Sequence, residues 1–428
     1  MSLHDILNKM LAQFNEYSKD ARIVLLHSHS RYRAAFISRL LADSGLRVFY
    51  YALGNDDVDV RTFISGFTHE ISEQKPTFGT YINQVGFDNL PDVSPLLQAF
   101  AEDLNDLSSA PFLLILDEYD RAEVGDDLQY FLEHLVDVMP DQCRLVMSGR
   151  GLPRLPWLAM IARRQAVMLR DAEMVASNFY GNQAGADARV VISALGPGTV
   201  VLDNQSIETW EGHLPRLLFF FAMERPFITR SEICQAFWPE LQHDQAVNVF
   251  HVTKRRLHKA LEALGVDVLT HDGGYYRVNP AIRVHYDVID FVGALVAGRT
   301  AETPKARMEA YQRAIDLHTR AFLQGHTEQW ILNRRYDYQT GFIEALTGMA
   351  DVRLSEERYE HALALLQRAS TENPFRQDLH RRIMTLFADL GRRSEAASHY
   401  QRLREFLANN ESHMEAETER TYRQLMES

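Results

Sequence analysis

The sequence lacks features that define several large classes of protein. It has only two cysteines in 428 residues, and neither Cys143 nor Cys234 has neighbours at metal-ligand spacing. We expect both to be structural residues of a protein kept in a reducing compartment. No apolar run reaches the roughly 20 residues that span a bilayer, and the amino terminus lacks the basic and apolar regions of a signal peptide. These absences predict a cytoplasmic protein that does not enter a membrane.

Positive charge is also scarce. The formal net charge is −13, of which residues 1–192 carry −9, residues 193–290 carry −3 and residues 291–428 carry −1. Any contact with nucleic acid must therefore be local, and a single copy should bind DNA weakly at physiological salt. The length and the ordinary apolar and charged fractions, 46% and 24%, indicate a globular protein of two to four domains.

Residues 1–192 contain short apolar runs of the kind that are buried in parallel sheets. They are residues 23–26, 47–51, 112–119 and 144–148, and helical segments separate them. The pattern predicts an α/β layer. The order resembles the STAND branch of P-loop ATPases, with Asp117 and Glu118 in the Walker B position and residues 148–150 in the sensor position.

The loop after the first run lacks the groups that hold a nucleotide. A phosphate loop needs glycines, a lysine and a hydroxyl residue. The corresponding residues are Arg31, Arg33, Ala34 and Ala35. We therefore expect a degenerate P-loop domain that binds no cofactor and does not hydrolyse ATP.

Three other interpretations of this region remain open. Asp117 and Glu118 could coordinate a metal, although paired acids at a strand end are commonly solvated loop residues. His27 and His29 could also bind a metal, although no third ligand is near in the sequence. Arginines 31, 33 and 39 could attract an anion at the start of the next helix. We predict no metal site.

Residues 248–264 are predicted to form a helix with a basic face, followed by a strand at 266–270 and a hairpin that turns at two glycines. Two helices, residues 215–221 and 228–239, precede it. Apolar positions recur at helical spacing and should be buried: Ala246, Phe250, Thr253, Leu257, Leu261 and Leu264. The candidate DNA contacts lie elsewhere on the helix and on the hairpin: Asn248, His251, Lys254, Arg255, His258, Lys259, Gly273, Gly274, Tyr275 and Arg277.

The segment from 193 to 290 resembles the OmpR-like winged-helix domain of bacterial SARP-type activators. The matching pieces are residues 194–197, 236–239, 250–253, 256–261 and 273–277. The resemblance implies an α+β winged helix-turn-helix, with its recognition helix in the major groove and its wing against the backbone or the minor groove. The alternative is that the cations merely solvate an exposed helix face.

The last third is predicted to be helical and repetitive. Ala362 and Ala396 are 34 residues apart, as are Leu366 and Tyr400, and 34 is the tetratricopeptide period. A simple helical bundle is the alternative. Residues 287–428 look like the bacterial transcriptional activator domain, on the evidence of residues 330–335, 359–363, 373–380 and 390–392, followed by Ala396 and residues 400–403. That family commonly has a Glu-Leu-Gly turn and a proline where this chain has residues 409–412, so we expect the terminal helix to pack differently.

These features together predict a multidomain regulator of transcription that is not an enzyme. Its parts are an α/β P-loop-like domain at 1–192, a winged helix at 193–290 and an all-α tetratricopeptide-like domain at 291–428. The expected partners are double-stranded DNA, a second copy of the chain on DNA, and RNA polymerase. The rival interpretations are an ATP-dependent STAND-type switch, against which the phosphate loop argues, and a scaffold that does not bind DNA.

Overall fold

The chain forms two compact units in a computed structural model. The structure describes residues 2–26, 32–43, 45–86, 93–122, 124–169 and 188–427. The first unit comprises Met1–Val191 and Val200–His285, and the second comprises Ile192–Thr199 and Tyr286–Ser428. The division into three domains at 192/193 and 290/291 stays a prediction. In the described part of the chain, no helix is long and apolar enough to cross a membrane.

A parallel sheet forms the centre of the amino-terminal part of the first unit. Its strands are β1 (Ile23–Leu26), β2 (Arg47–Ala52), β3 (Phe112–Asp117), β4 (Cys143–Ser148) and β5 (Ala166–Leu169). The order is β2-β3-β4-β1-β5, and all neighbours run parallel. The four predicted runs are confirmed as strands and the α/β layer is confirmed. The sequence did not predict β5, which is a four-residue strand at the edge of the sheet.

Seven helices accompany this sheet in the described residues: α1 (Leu3–Tyr17), α2 (Arg33–Asp43), α3 (Val60–Gln74), α4 (Thr80–Val85), α5 (Ser94–Leu107), α6 (Asp126–Val138) and α7 (Trp157–Ala162). Side chains of α1 and α2, such as Phe14 and Phe36, pack on one sheet face with Val24 and Ile115. An aromatic cluster from α3, α5 and α6 covers the other face. Both faces are thus buried, as a parallel sheet requires.

The rest of the first unit, with the adjoining strand ends, has short strands and three helices. They are β6 (Val190–Ser193), β7 (Thr199–Leu202), β8 (Gln205–Ser206), α8 (Leu214–Met223), β9 (Ile228–Thr229), α9 (Arg230–Phe237), α10 (His243–Ala260), a 3-10 turn (Glu262–Leu264), β10 (Leu269–Asp272), β11 (Tyr275–Val278) and β12 (Val284–Tyr286). The sheet orders are β10-β11-β9 and β12-β6-β7-β8. The α9 helix begins with a capping box between Thr229 and Glu232.

The predicted helix at 248–264 differs from α10 at both ends. The helix begins five residues earlier because Ala246, the first residue of the apolar stripe, is already buried one turn before Phe250. It ends at Ala260, and the chain continues as a 3-10 turn to Gly265, whose φ of +72° stops the helix. The β10 strand begins at Leu269 rather than at 266, because its pairing with β11 extends from Leu269 opposite Val278.

The second unit is all-helical apart from its short amino-terminal segment, within the described residues. Its helices are α11 (Asp287–Arg299), α12 (Pro304–Leu317), α13 (Gln329–Ser355), α14 (Tyr359–Glu372), α15 (Gln377–Asp389), α16 (Arg393–Asn409) and α17 (Ala416–Glu427). Ala362 and Ala396 are both fully buried, and with Leu366 and Tyr400 they belong to one core cluster. The residues that recur at an interval of 34 therefore occupy equivalent buried positions.

The segment at 194–197, which the sequence analysis assigned to the winged helix, is held by the second unit. The Asp287 carboxylate accepts hydrogen bonds from the backbone N–H groups of Ala194 and Leu195, at 2.9 and 3.0 Å. The Thr319 hydroxyl donates to the Leu195 carbonyl oxygen at 3.0 Å. At the other end of the unit, the Tyr422 ring of α17 stacks on Tyr400 at 3.9 Å.

Candidate nucleic-acid interface

The buried stripe of α10 fixes which side of the helix faces solvent. Ala246, Phe250, Thr253 and Leu257 are buried, as are Leu261 and Leu264 beyond the helix, which confirms the predicted apolar face. The Phe250 ring meets Tyr276 of β11 edge-on, with the ring centroids 5.1 Å apart. This contact joins the helix to the hairpin and sets their relative orientation.

The solvent-facing side of α10 and its edge carry four of the predicted contact residues. Asn248, His251 and Arg255 are exposed and follow one another at helical spacing. Lys254 is half-buried, and its Nζ lies 5.4 Å from the centre of the Tyr276 ring. Among the described residues, no carboxylate lies within 4 Å of the charged groups of Lys254 or Arg255. We call these four side chains the reading face.

The pKa of His251 is lowered from its ordinary value. Partial burial of the ring is the largest cause, and the charges of Lys254 and Arg230 act in the same direction. The ring is therefore neutral at pH 7, so one of its nitrogens can donate a hydrogen bond and the other can accept one. Its charge does not contribute to the attraction of a polyanion until the pH falls below the lowered pKa.

His258 is engaged inside the protein rather than on the reading face. Its Nδ1 lies 2.8 Å from Asp267 Oδ1, and its Nε2 accepts a hydrogen bond from the Leu269 N–H at 3.4 Å. This pattern fits the neutral ring with its proton on Nδ1. Burial is the largest cause of its lowered pKa, and Asp267 opposes that shift. The residue ties the end of α10 to the start of β10.

Glu211 neutralises the carboxyl-terminal end of α10. Its carboxylate lies 2.6 Å from Lys259 Nζ and 3.3 Å from Arg256 Nε. The hydrogen bond from Lys259 is the largest cause of the lowered pKa of Glu211. All three side chains are substantially exposed, so the pairing is worth little free energy and exchanges readily with water or another anion.

The hairpin turns at Gly273 and Gly274, whose φ angles are +57° and +88°. Because Asp272 pairs with Tyr275, the loop has two residues, and positive φ at both is what a type I′ turn requires. Both glycines are exposed. The predicted tight hairpin is confirmed, and the backbone at its tip is exposed to solvent.

Tyr275, the residue that follows the turn, and Arg277, two residues further along β11, both make cation–π contacts within the chain. The Arg154 guanidinium lies 5.1 Å from the centre of the Tyr275 ring, and the Arg277 guanidinium lies 5.7 Å from the centre of the Phe227 ring. The structure therefore brings Asn248, His251, Lys254 and Arg255 together on one face. It gives His258, Lys259, Tyr275 and Arg277 partners within the chain.

A buried ionic network that the sequence did not predict joins the α/β part of the first unit to β9 and α9. Arg154 Nη1 lies 2.9 Å from Glu232 and 3.1 Å from Asp126, and its Nη2 donates to the Val124 carbonyl oxygen at 2.9 Å. The Thr229 hydroxyl also donates to Asp126, at 2.9 Å. Arg154 stands between two prolines in a segment without periodicity, so the sequence carries no signal for these contacts.

The carboxyl edge of the parallel sheet holds the two predicted acids in local bonds. Asp117 accepts hydrogen bonds from the Tyr50 hydroxyl at 3.2 Å and from the Glu118 N–H at 2.8 Å. Glu118 pairs with Arg121 at 2.6 Å. Arg33 donates to the Gly149 carbonyl oxygen at 2.6 Å. The positions predicted for a phosphate loop between 27 and 31 lie outside the described residues.

The described residues contain no group of three or more side chains that could hold a metal ion. His27, His29 and Arg31 lie outside them. Cys143 and Cys234 are free and buried, and burial raises the pKa of the Cys143 thiol to about 12.

Part of the second unit matches one family model. Residues 287–426 match the family model of the bacterial transcriptional activator domain. This confirms the resemblance that the sequence shows over 287–428. No curated protein matches the chain.

Three solved structures show distant likeness. Mycobacterium tuberculosis EmbR, in complex with a low-affinity phosphopeptide, is 19% identical with a TM-score of 0.46, over 56% of this chain and 66% of that one. A STAND protein with a tetratricopeptide repeat sensor from Pyrococcus horikoshii is 12% identical with a TM-score of 0.25, over 93% and 64%. Drosophila ORC bound to AT-rich DNA and Cdc6 is 10% identical with a TM-score of 0.27, over 67% and 92%.

The first two of these likenesses cover less than two thirds of the other chain. All three TM-scores are below 0.5, so no inference about this chain rests on them.

Proposed function

We propose that this chain is a DNA-binding transcriptional regulator of the SARP type, most simply an activator, without catalytic activity of its own. Two observations support the proposal. Residues 287–426 match a domain family of bacterial transcriptional activators. The α10 helix presents a reading face next to a two-glycine hairpin, and this arrangement carries the proposal.

The reading face would enter the major groove. Asn248 and His251 lie in the first half of α10, so they are placed to meet base edges, as the amino-terminal part of a recognition helix does. Lys254 and Arg255 would contact phosphates. The tip at Gly273 and Gly274 would lie against the DNA backbone, where side chains would obstruct a close approach.

The residues with internal partners would contribute less. His258 uses both ring nitrogens within the protein, and Tyr275 is covered by Arg154. Lys259 can bind a DNA phosphate only by giving up its ion pair with Glu211, and the new ion pair with the phosphate offsets that loss. We therefore expect two strong cationic contacts per copy and a third that is partly cancelled.

A single copy with so few phosphate contacts would bind weakly. Two contacts give a salt slope of about 1.8 in the logarithms, so affinity would fall roughly tenfold between 50 and 200 mM salt. Specific affinities of about 10⁻⁸ M or tighter require more contacts or a second copy. We infer that the helical unit joins two copies on repeated sites, with RNA polymerase as its other expected partner.

The test compares Lys254→Ala/Arg255→Ala with Arg402→Ala/Arg404→Ala, which removes two exposed cations from α16. Fluorescence anisotropy of labelled duplex DNA across a salt series measures affinity and slope. The first variant should bind at least tenfold more weakly with a slope smaller by about 1.8, and the second should match the wild type. Equal curves for a folded reading-face variant would contradict the proposal.

The rival ATP-driven switch needs nucleotide binding at the carboxyl edge of the parallel sheet. Alanines 34 and 35 stand where that activity requires a lysine and a hydroxyl residue. Calorimetry with ATP and Mg²⁺ should show no tight site. Turnover of ATP that Asp117→Asn abolishes would establish the rival instead.

The domain limits 1–192, 193–290 and 291–428 are part of the proposal that the chain is a transcriptional regulator.

A further inference from the structure

A cleft of about 310 Å³ opens in the second unit, bordered by α13, α14 and the loop that follows α12. Its lining includes three arginines, one from each of these segments: Arg320, Arg335 and Arg368. Glu372 supplies the one carboxylate of the lining. The cleft therefore has a net charge of +2, in a chain whose overall charge is −13.

Two of these cations have no opposite charge to neutralise them. Among the described residues, no carboxylate lies within 4 Å of the guanidinium groups of Arg320 or Arg368. Both side chains are exposed. A third charge is held in place, because Arg335 donates from Nε to the Phe322 carbonyl oxygen at 3.1 Å, and from Nη2 to those of Leu323 and His326 at 3.0 Å. Its position is thus fixed before any ligand arrives.

The floor of the cleft is a stack of flat groups. The Arg368 guanidinium lies 5.1 Å from the centre of the Phe342 ring, and the His318 ring lies 4.4 Å away with its plane tilted by 18°. Burial is the largest cause that lowers the pKa of His318 to about 4, and the charge of Arg368 acts in the same direction. The imidazole is neutral at pH 7, so the guanidinium groups carry the positive charge of the cleft.

The rim of the cleft adds apolar surface. Tyr336 is 54% exposed and Leu332 is 39% exposed, and both line the cleft on successive turns of α13. A ligand with a planar ring could pack that ring on the exposed Tyr336 side chain. An anionic group of the same ligand could then reach the arginines.

We propose that this cleft binds a small organic monophosphate that carries a planar ring. The guanidinium fork matches the oxygens of a phosphate, and a monophosphate dianion balances the net charge of +2. The ring would cover Tyr336 and Leu332. The volume lies at the lower limit for ligand pockets, about 300 Å³, which leaves room for one planar ring system and one phosphate. Glu372 would repel the additional charge of a diphosphate or triphosphate.

Calorimetry on the full chain, with adenosine 5′-monophosphate and phenyl phosphate as probes, tests the proposal. Both should bind with one site per chain, and adenosine should not bind. Arg320→Ala/Arg368→Ala should weaken binding at least tenfold, because hydrogen bonds to charged groups are strong. Arg402→Ala/Arg404→Ala is the matched control and should bind like the wild type. Tyr336→Ala should weaken binding of both probes but leave that of inorganic phosphate unchanged.

Three results would overturn the proposal. The first is that neither probe shows saturable binding up to about 5 mM, a concentration far above the dissociation constants of ordinary ligands. The second is an equal loss of binding in the two double variants. The third is tighter binding of ATP than of the monophosphate. Circular dichroism shows whether each variant is folded. The Lys254→Ala/Arg255→Ala variant should retain the binding, which separates this site from the proposed contact with DNA.

Discussion

Replacing Arg154 by methionine should destabilise the first unit strongly. The side chain is 7% exposed and bonded to Glu232, which is 15% exposed, and to Asp126, which is 38% exposed. Methionine keeps the aliphatic stem but removes the guanidinium that binds two carboxylates and the Val124 carbonyl oxygen. Breaking a buried ion pair costs roughly 3–5 kcal/mol. We expect about 3 kcal/mol, because Asp126 can regain water and Glu232 still caps α9.

Urea unfolding followed by circular dichroism and tryptophan fluorescence measures this loss, as a lower midpoint at constant slope. Arg121→Met is the matched control. Its ion pair with Glu118 is mostly exposed, at 59% for the arginine, so the change should cost about 0–1 kcal/mol. The double variant Arg154→Met/Glu232→Gln should lose less than the two single losses added together. A loss no larger than that of Arg121→Met would refute the assignment of Arg154 to a buried network.

Three further predictions concern the proposed binding of DNA. Glu211→Gln should release Lys259 and Arg256 from their ion pairs, so DNA affinity in the anisotropy assay should rise several-fold. The salt slope should also steepen, by up to about 1 per freed cation. The control is Glu405→Gln, which removes an exposed carboxylate on α16 and should leave DNA affinity unchanged. Because burial lowers the pKa of His251, its ring is neutral at pH 7, so affinity should increase as the pH falls through that lowered pKa and the ring gains its charge, and His251→Gln should remove that increase. Deleting residues from 304 onward should abolish cooperative binding to two-repeat DNA, and a one-to-one complex of the full chain in light scattering would leave polymerase as the partner of the helical unit.

Local pattern was enough to predict much of the fold. The apolar runs at 23–26 and 112–119 are strands because a parallel sheet buries both faces and leaves no alternation in the sequence. The stripe from Ala246 to Leu257 reports the buried side of α10 directly. Paired glycines specify a two-residue hairpin on steric grounds, since both positions need positive φ.

The partners of the polar residues could not be predicted in the same way. His258 and Lys259 belong to the polar side of their helix, but Asp267 and Glu211, which bind them, come from loops whose approach depends on tertiary structure. Arg154 meets Glu232 across 78 residues of sequence. Helical periodicity shows which side of a helix faces outward and does not identify what meets that side.

Binding of full-length protein to random-sequence duplex DNA over a salt series tests the central proposal most directly. The logarithm of affinity should fall linearly with the logarithm of salt concentration, with a slope of about 1.8 to 2.7 per copy, for two or three phosphate contacts. Lys254→Ala/Arg255→Ala should remove most of that slope. A wild-type protein that shows no salt-dependent binding down to 50 mM salt, or a slope unchanged in the folded variant, would contradict DNA binding through α10.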